Sequence, residues 1–331
     1  MRTAARVALL ALPLLAACTS RVVETRDDSL SLVWPSDGPR VRFERMLTNR
    51  RDAGAGRGIL DWLVGRSGEP IFERPYALAW DEKALVVADP GAHRVVRIAE
   101  RGRVVQSPAG QLHEPVGVTV CFGAIVVSDS WAGTVSVFGQ DLRRSRVIAE
   151  GLARPTGLAC LGDRLFIAET GAHRVLAVTA DGRRQVMGRR GEGPGEFNFP
   201  TTIAAAGDTL YVGDAMNFRV QRLRAADGES QATFGRLGDA SGEMPRTKGI
   251  AVDSAGHIWV SDGYLDQVGL FDRDGSLLIS IGRGGGAAGE FSFPAGVAAR
   301  EDGIVAVADS LNRRIQFFSL IAAEGPSSAR P

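Results

Sequence analysis

Lysine is almost missing from this chain. Of its 39 basic residues only Lys83 and Lys248 are lysines, and the rest are arginines. The imbalance reads as codon bias of a GC-rich genome. The functional alternative is arginine chosen for bidentate contacts to carboxylate or phosphate. Net charge is missing too. The formal balance is +1, and without a leader carrying Arg2 and Arg6 it becomes 37 basic against 38 acidic residues. A near-neutral chain has no electrostatic footprint for nucleic acid. There is no apolar run long enough to span a bilayer as a mature helix. No Cys-x-x-Cys-His attaches a haem, and the glycine-rich runs Arg189–Pro200 and Gly282–Pro294 lack the Gly-Lys-Ser/Thr of a phosphate loop. Helical periodicity is absent, which excludes a helical solenoid. What the chain has is glycine, 41 residues in 331, and 44% hydrophobic residues. Those numbers suit one closed all-β fold with many tight turns.

The first residues read as an export signal. Arg2 and Arg6 precede a short apolar core over Val7 to Leu15, followed by Leu15-Ala16-Ala17-Cys18. That ending resembles the lipobox of bacterial lipoproteins, which implies cleavage before Cys18 and lipidation of its thiol. Thr19 and Ser20 follow instead of aspartate, which by the same resemblance favours the outer membrane. Residues 18–39 are polar with proline and glycine and read as a lipidated tether whose Trp34 end docks on the fold.

Self-similarity is the strongest signal. Six segments begin with an acid, at Asp89, Asp129, Glu169, Asp214, Asp262 and Asp309, spaced 40, 40, 45, 48 and 47 residues apart. An apolar run precedes each acid, as in ALVVAD, RLFIAE and HIWVSD. Before that lies another run, usually introduced by proline, as in RPYALAW and FPAGVAA. Arginine follows five residues after the acid in four repeats, as Arg94, Arg174, Arg219 and Arg314, while Thr134 and Gln267 occupy the place in the second and fifth. Turns such as Asp181-Gly182, Asp227-Gly228 and Asp274-Gly275 suit tight hairpins. Four short strands every 40 to 48 residues match a propeller blade. The pattern over residues 73–318 resembles the NHL repeat family, which implies a six-bladed all-β propeller of four-stranded antiparallel blades.

The last repeat ends at Ser319-Leu320 with only three strands. The segment Arg40 to Leu47 is strand-like and lies before the first repeat, where it can supply the missing strand and close the ring. Closure removes exposed edges. The expected organisation is a signal peptide over 1–17, a tether over 18–39, a propeller over 40–320 and a C-terminal tail over 321–331. Residues 48–72, with the DWLV run from Asp61, form an expanded loop.

The six repeated acids read as structural, each accepting amides of its own turn and pairing with the arginine five residues on; the alternative is a carboxylate ring around a channel. His93 and His173 are equivalent turn positions. Amidating lyases, which resemble NHL propellers, hold zinc with channel histidines, but no third histidine falls in register here. The innermost strands supply neither carboxylate nor asparagine, so the channel is expected to be apolar, with no metal and no cofactor. Cys121 and Cys160 end neighbouring innermost strands at different offsets from their acids, eight and nine residues. They are expected as buried free thiols, with a bridge as the alternative.

Loops entering each blade and loops between its second and third strands emerge on one side. They offer Arg74, Glu114, Trp131, Arg154, Phe199, Phe218, Arg246, Lys248, Tyr264, Phe293 and Arg313. Arginine mixed with aromatics is hot-spot composition. The expected function is a non-catalytic, lipid-anchored protein of the bacterial cell envelope whose loop face binds a protein or extended ligand. The alternative is a propeller hydrolase or lyase, resembling gluconolactonase, strictosidine synthase or amidating lyase, with a channel metal.

Overall fold

The computed structural model describes residues 32–35, 41–49, 52, 70–99, 102–143, 145–240 and 242–321. The signal segment, Cys18, the DWLV run and the C-terminal tail beyond residue 321 lie outside the described residues.

Among the described residues two strands come first, β1 (Val33–Trp34) and β2 (Val41–Leu47). Blade 1 is β3 (Ala77–Asp81), β4 (Ala84–Asp89), β5 (Arg94–Ile98) and β6 (Val104–Gln106). Blade 2 is β7 (Pro115–Cys121), β8 (Ala124–Asp129), β9 (Thr134–Phe138) and β10 (Ser145–Ala149). Blade 3 is β11 (Pro155–Leu161), β12 (Arg164–Glu169), β13 (Arg174–Thr179) and β14 (Arg184–Met187). Blade 4 is β15 (Pro200–Ala206), β16 (Thr209–Asp214), β17 (Arg219–Arg224) and β18 (Ser230–Phe234). Blade 5 is β19 (Thr247–Val252), β20 (Ile258–Asp262), β21 (Gln267–Phe271) and β22 (Leu277–Ile281). Blade 6 takes β23 (Pro294–Ala299), β24 (Ile304–Asp309) and β25 (Arg314–Leu320), then β2 and β1.

The chain is therefore an all-β six-bladed propeller, closed by N-terminal strands. β2 pairs antiparallel with β25, Val41 opposite Leu320 and Leu47 opposite Ile315, with an irregularity between Phe43 and Arg45. β1 adds a fifth strand within the stretch expected as tether. Trp34 and Phe43 both meet the buried Phe318 edge-on, at 6.0 and 5.8 Å between centroids.

Why these strands form follows from their burial. The second strand of each blade is covered on both faces, so runs such as ALVVAD need no alternation and every residue of β4 is buried. Outer strands alternate loosely or lie exposed, as in β10. Six apolar clusters fill the seams between adjacent blades. Val86, Val127 and Phe138 lie in the seam of blades 1 and 2. Leu47, Leu78 and Phe317 close the seam of blades 6 and 1. Stability thus comes from blade-to-blade contact.

The innermost strands pack backbone to backbone. A Cβ on Gly117 would sit 2.0 Å from the Thr156 carbonyl oxygen, so only glycine fits there. The Gly296 amide donates to the Tyr76 carbonyl and joins blade 6 to blade 1.

The expectation of free thiols is overturned. Cys121 and Cys160 form a disulfide linking blades 2 and 3, with Cα atoms 5.5 Å apart. Their unequal offsets place them on opposite faces of their strands. Neighbouring blades stack face to face, so opposite faces are the ones that meet.

Candidate functional site

The six repeat acids organise one end of the propeller. All are buried. Asp89 accepts the amides of Glu73 and Arg74, at 3.0 and 2.7 Å. Asp129 accepts those of His113 and Glu114, and Asp262 that of Arg246 at 2.7 Å. Glu169, Asp214 and Asp309 take Ala153, Asn198 and Ser292 in the same way. The expected donors are amides of each acid's own turn, and the entry loop adds a second set of donors. Some own-turn bonds exist, such as Ala132 to Asp129, but the shared partner is the loop entering the same blade. The arginine partnership is present: Arg174 with Glu169 and Arg314 with Asp309, both at 2.6 Å, Arg219 with Asp214 at 3.0 Å, and Arg94 with Asp89 at 3.6 Å. Burial raises the pKa of Asp309, opposed by hydrogen bonds from Ser292, Asn312 and Arg314.

The fourth residue after the acid links blades at His93, Gly133, His173, Asp266 and Arg313. His93, His173, Phe218, Asp266 and Arg313 all have left-handed backbone, and Gly133 fills the place in blade 2. The His93 ring hydrogen-bonds the His113 carbonyl of the next blade's entry loop. The Phe199 amide donates to His173 Nδ1 at 3.2 Å, and the two rings lie 4.3 Å apart. Asp266 accepts the Phe293 amide, and Arg313 bridges to Glu73 at 2.8 Å. The two histidines are therefore inter-blade fasteners rather than bare turn residues.

These fastened loops surround an open cavity of about 780 Å³ on the propeller axis. Among the residues named from the sequence, Arg74, Glu114, Arg154, Phe199, Phe218, Arg246, Lys248 and Phe293 line it. A bulge near the start of the inner strands, as between Pro115 and Gly117 or Thr247 and Gly249, re-aims the intervening side chain. Val116, Thr156, Thr201 and Lys248 reach the cavity this way, with Tyr76 at the matching place in blade 1. Below them the channel narrows between Leu78, Val118, Leu158, Ile203, Ile250 and Val297.

The charged side chains lining the cavity are Arg74, Arg154, Arg246 and Lys248 against Glu114, four cations against one carboxylate. Burial lowers the Lys248 pKa, and Arg246 and Arg154 lower it further, against Asp262. Its ammonium lies 5.3 Å from the Phe293 ring centroid. Burial pushes the Tyr76 hydroxyl pKa up, while the fields of Arg154, Arg74 and Arg246 pull it down.

Trp131 and Tyr264 stand on the rim, 70% and 68% exposed; Trp131 stacks on His113 at 4.4 Å. Tyr264 also lines a second hollow with Leu237 and Arg246. Met216 and Leu311, 52% and 59% exposed, occupy the same place, two residues after the acid. Met216, Leu311 and Tyr76 were not among the residues named from the sequence. Counting two residues on from each acid would have found the first two. Arg313 is engaged at the seam of blades 6 and 1. Among the described residues, no group of three or more His, Cys, Asp and Glu side chains is placed to share a metal ion.

No family model matches the chain, and no curated protein does. Solved structures with a similar fold include virginiamycin B lyase from Staphylococcus aureus, at 14% identity over 75% of this chain and 96% of that one, TM-score 0.56. A gluconolactonase from Xanthomonas campestris aligns at 18% identity over 76% of this chain and 87% of that one, TM-score 0.59. An auxiliary nutrient binding protein from Bacteroides thetaiotaomicron aligns at 12% identity over 75% and 69%, TM-score 0.61. At these identities the likeness is one of fold.

Proposed function

We propose that this chain is a non-catalytic binding module of the bacterial cell envelope, anchored through a lipid on Cys18, in the outer membrane. Its loop face engages a protein or extended ligand. The observation that carries the reading is the rim: Trp131, Met216, Tyr264 and Leu311 expose apolar side chains around a cationic cavity. Exposed apolar side chains grouped on one face mark interaction sites, and tryptophan, tyrosine and arginine are the usual anchors. The lipobox supports the anchor, and a disulfide between Cys121 and Cys160 suits an oxidising compartment.

The test is co-purification of cross-linked partners from detergent-solubilised envelope, using the tagged full chain. A partner recovered with wild-type protein is expected to be lost when Trp131→Ala and Arg154→Ala are combined. Unchanged recovery would sink the proposed face. Cys18→Ala is expected to move the protein from the membrane to the soluble fraction.

A further inference from the structure

Fifteen or sixteen residues before each repeat acid, the entry loops place Arg74, Glu114, Arg154, Phe199, Arg246 and Phe293 in turn around the ring. Arginine occurs in blades 1, 3 and 5, every second blade, so three guanidinium groups are spread around the axis. All three influence Tyr76 at the cavity floor. Lys248 adds a fourth cation beside Arg246. The arginines that recur five residues after the acids are neutralised: Arg94, Arg174, Arg219 and Arg314 each face a repeat acid. Among the described residues, none of the four cavity cations has a carboxylate within ion-pair distance.

Gathered around one cavity with a single carboxylate, Glu114, in its lining, like charges repel, and a folded chain tolerates that cost where a ligand of opposite charge relieves it. We propose that the cavity is a binding site for clustered carboxylates. They are carried by a small polycarboxylic acid or by an acidic peptide segment, two sources of one chemistry. The inference rests on the loop-face reading and narrows it.

One feature argues against a phosphate site, and the rest of the lining suits clustered carboxylates. Phosphate sites are commonly built from free backbone amides at a nest or helix start. Here the amides of Arg74, Glu114 and Arg246 are already taken by Asp89, Asp129 and Asp262. What remains are planar guanidinium forks on three separate blades, each able to take one carboxylate side-on. A cavity of about 780 Å³ has room for several such groups. The Phe199 and Phe293 rings give the ligand's carbon skeleton an apolar wall. Glu114 interrupts the cationic ring on the blade 2 side and disfavours a carboxylate there, which orients the ligand.

Titration calorimetry on the full chain at low ionic strength, with citrate and with hexaglutamate as probes, tests this. Saturable binding of either is expected, weakened at least tenfold when Arg154→Gln and Arg246→Gln are combined and unchanged in Arg183→Gln, an arginine paired with Asp181 in the turn between β13 and β14 that does not line the cavity. Melting curves confirm that the variants fold. Hexaglutamate binding at least tenfold tighter than citrate assigns the carboxylates to a peptide; citrate binding without hexaglutamate assigns them to a small acid. Binding of neither probe, equal binding by the double variant, or inorganic phosphate binding as tightly as both overturns the proposal. If no probe binds while partner recovery still depends on Trp131, the loop-face reading stands and this inference alone falls.

Discussion

The backbone amide of Arg246 donates to the buried carboxylate of Asp262 at 2.7 Å. One bond joins the two kinds of residue that the repeats supply. The acid holds the loop, and the loop presents the cation. Arg74 with Asp89 and Glu114 with Asp129 repeat the relationship. The acids serve the cavity without lining it.

Asp262 is the most exposed test of that division. It accepts three amides, from Arg246, Tyr264 and Leu265, and has no arginine partner because Gln267 stands there. Asp262→Ala is expected to strand those donors and cost about 2–4 kcal/mol of stability, since each unsatisfied group costs about 1–3 kcal/mol. Urea unfolding measures it. A loss below about 1 kcal/mol would show that water replaces the carboxylate.

The disulfide joins two blades whose cysteines are 39 residues apart. Cys121→Ser is expected to lower stability by about 2–4 kcal/mol. Thiol titration of unreduced, denatured protein is expected to find neither Cys121 nor Cys160. Two reactive thiols assigned to those positions by mass spectrometry would contradict the bridge.

Closure by β2 makes the N-terminal strand part of the core. Leu47 is 2% exposed and packs in the seam of blades 6 and 1. Leu47→Ala is expected to cost about 2–5 kcal/mol. Deleting residues 41–47 is expected to abolish cooperative unfolding; an unchanged melting temperature would rule the closure out.

Acid sensitivity should come from three inter-blade loops. Glu196 accepts from Arg189, while Glu243 and Glu290 accept first from the amides of Ala240 and Ala287, then from Arg236 and Arg283. All three carboxyl groups titrate below the ordinary glutamate value of 4.5. A depressed folded pKa gives stability that is present above the unfolded value and is lost as pH falls through the folded one. Replacing all three by glutamine is expected to lower the urea midpoint at pH 7 and to flatten its decline on acidification. Parallel pH curves for both proteins would refute this.

Lys248 should trade stability for binding. Its pKa is lowered by burial, then by Arg246 and Arg154, with Asp262 opposing. A lysine with a lowered folded pKa is a charge the fold resists, relieved as pH rises through that value. Lys248→Met is expected to raise the melting temperature at pH 7 by about 1–3 °C and to weaken citrate binding. In the wild type, binding is expected to weaken as pH rises toward the ordinary lysine value of 10.5, while the arginines stay charged.

The six-bladed ring was legible in the chain because each blade repeats a local pattern. An apolar run, an acid and a turn recur at fixed spacing, and a missing fourth strand at one end has its counterpart at the other. Period and strand count need no knowledge of distant contacts. The Cys121–Cys160 bridge was not legible, because side-chain direction along one strand says nothing of which face of the next blade it meets. Nor was the gathering of Arg74, Arg154, Arg246 and Lys248 around Tyr76. Those residues lie up to 174 positions apart, between 74 and 248, and only ring closure brings every blade's entry loop to the same axis. The sequence by itself determined the repeat, its count and the end at which loops emerge. Only the tertiary structure decided that those loops enclose a cationic cavity, because charge adds up by distance in space and not by distance along the chain.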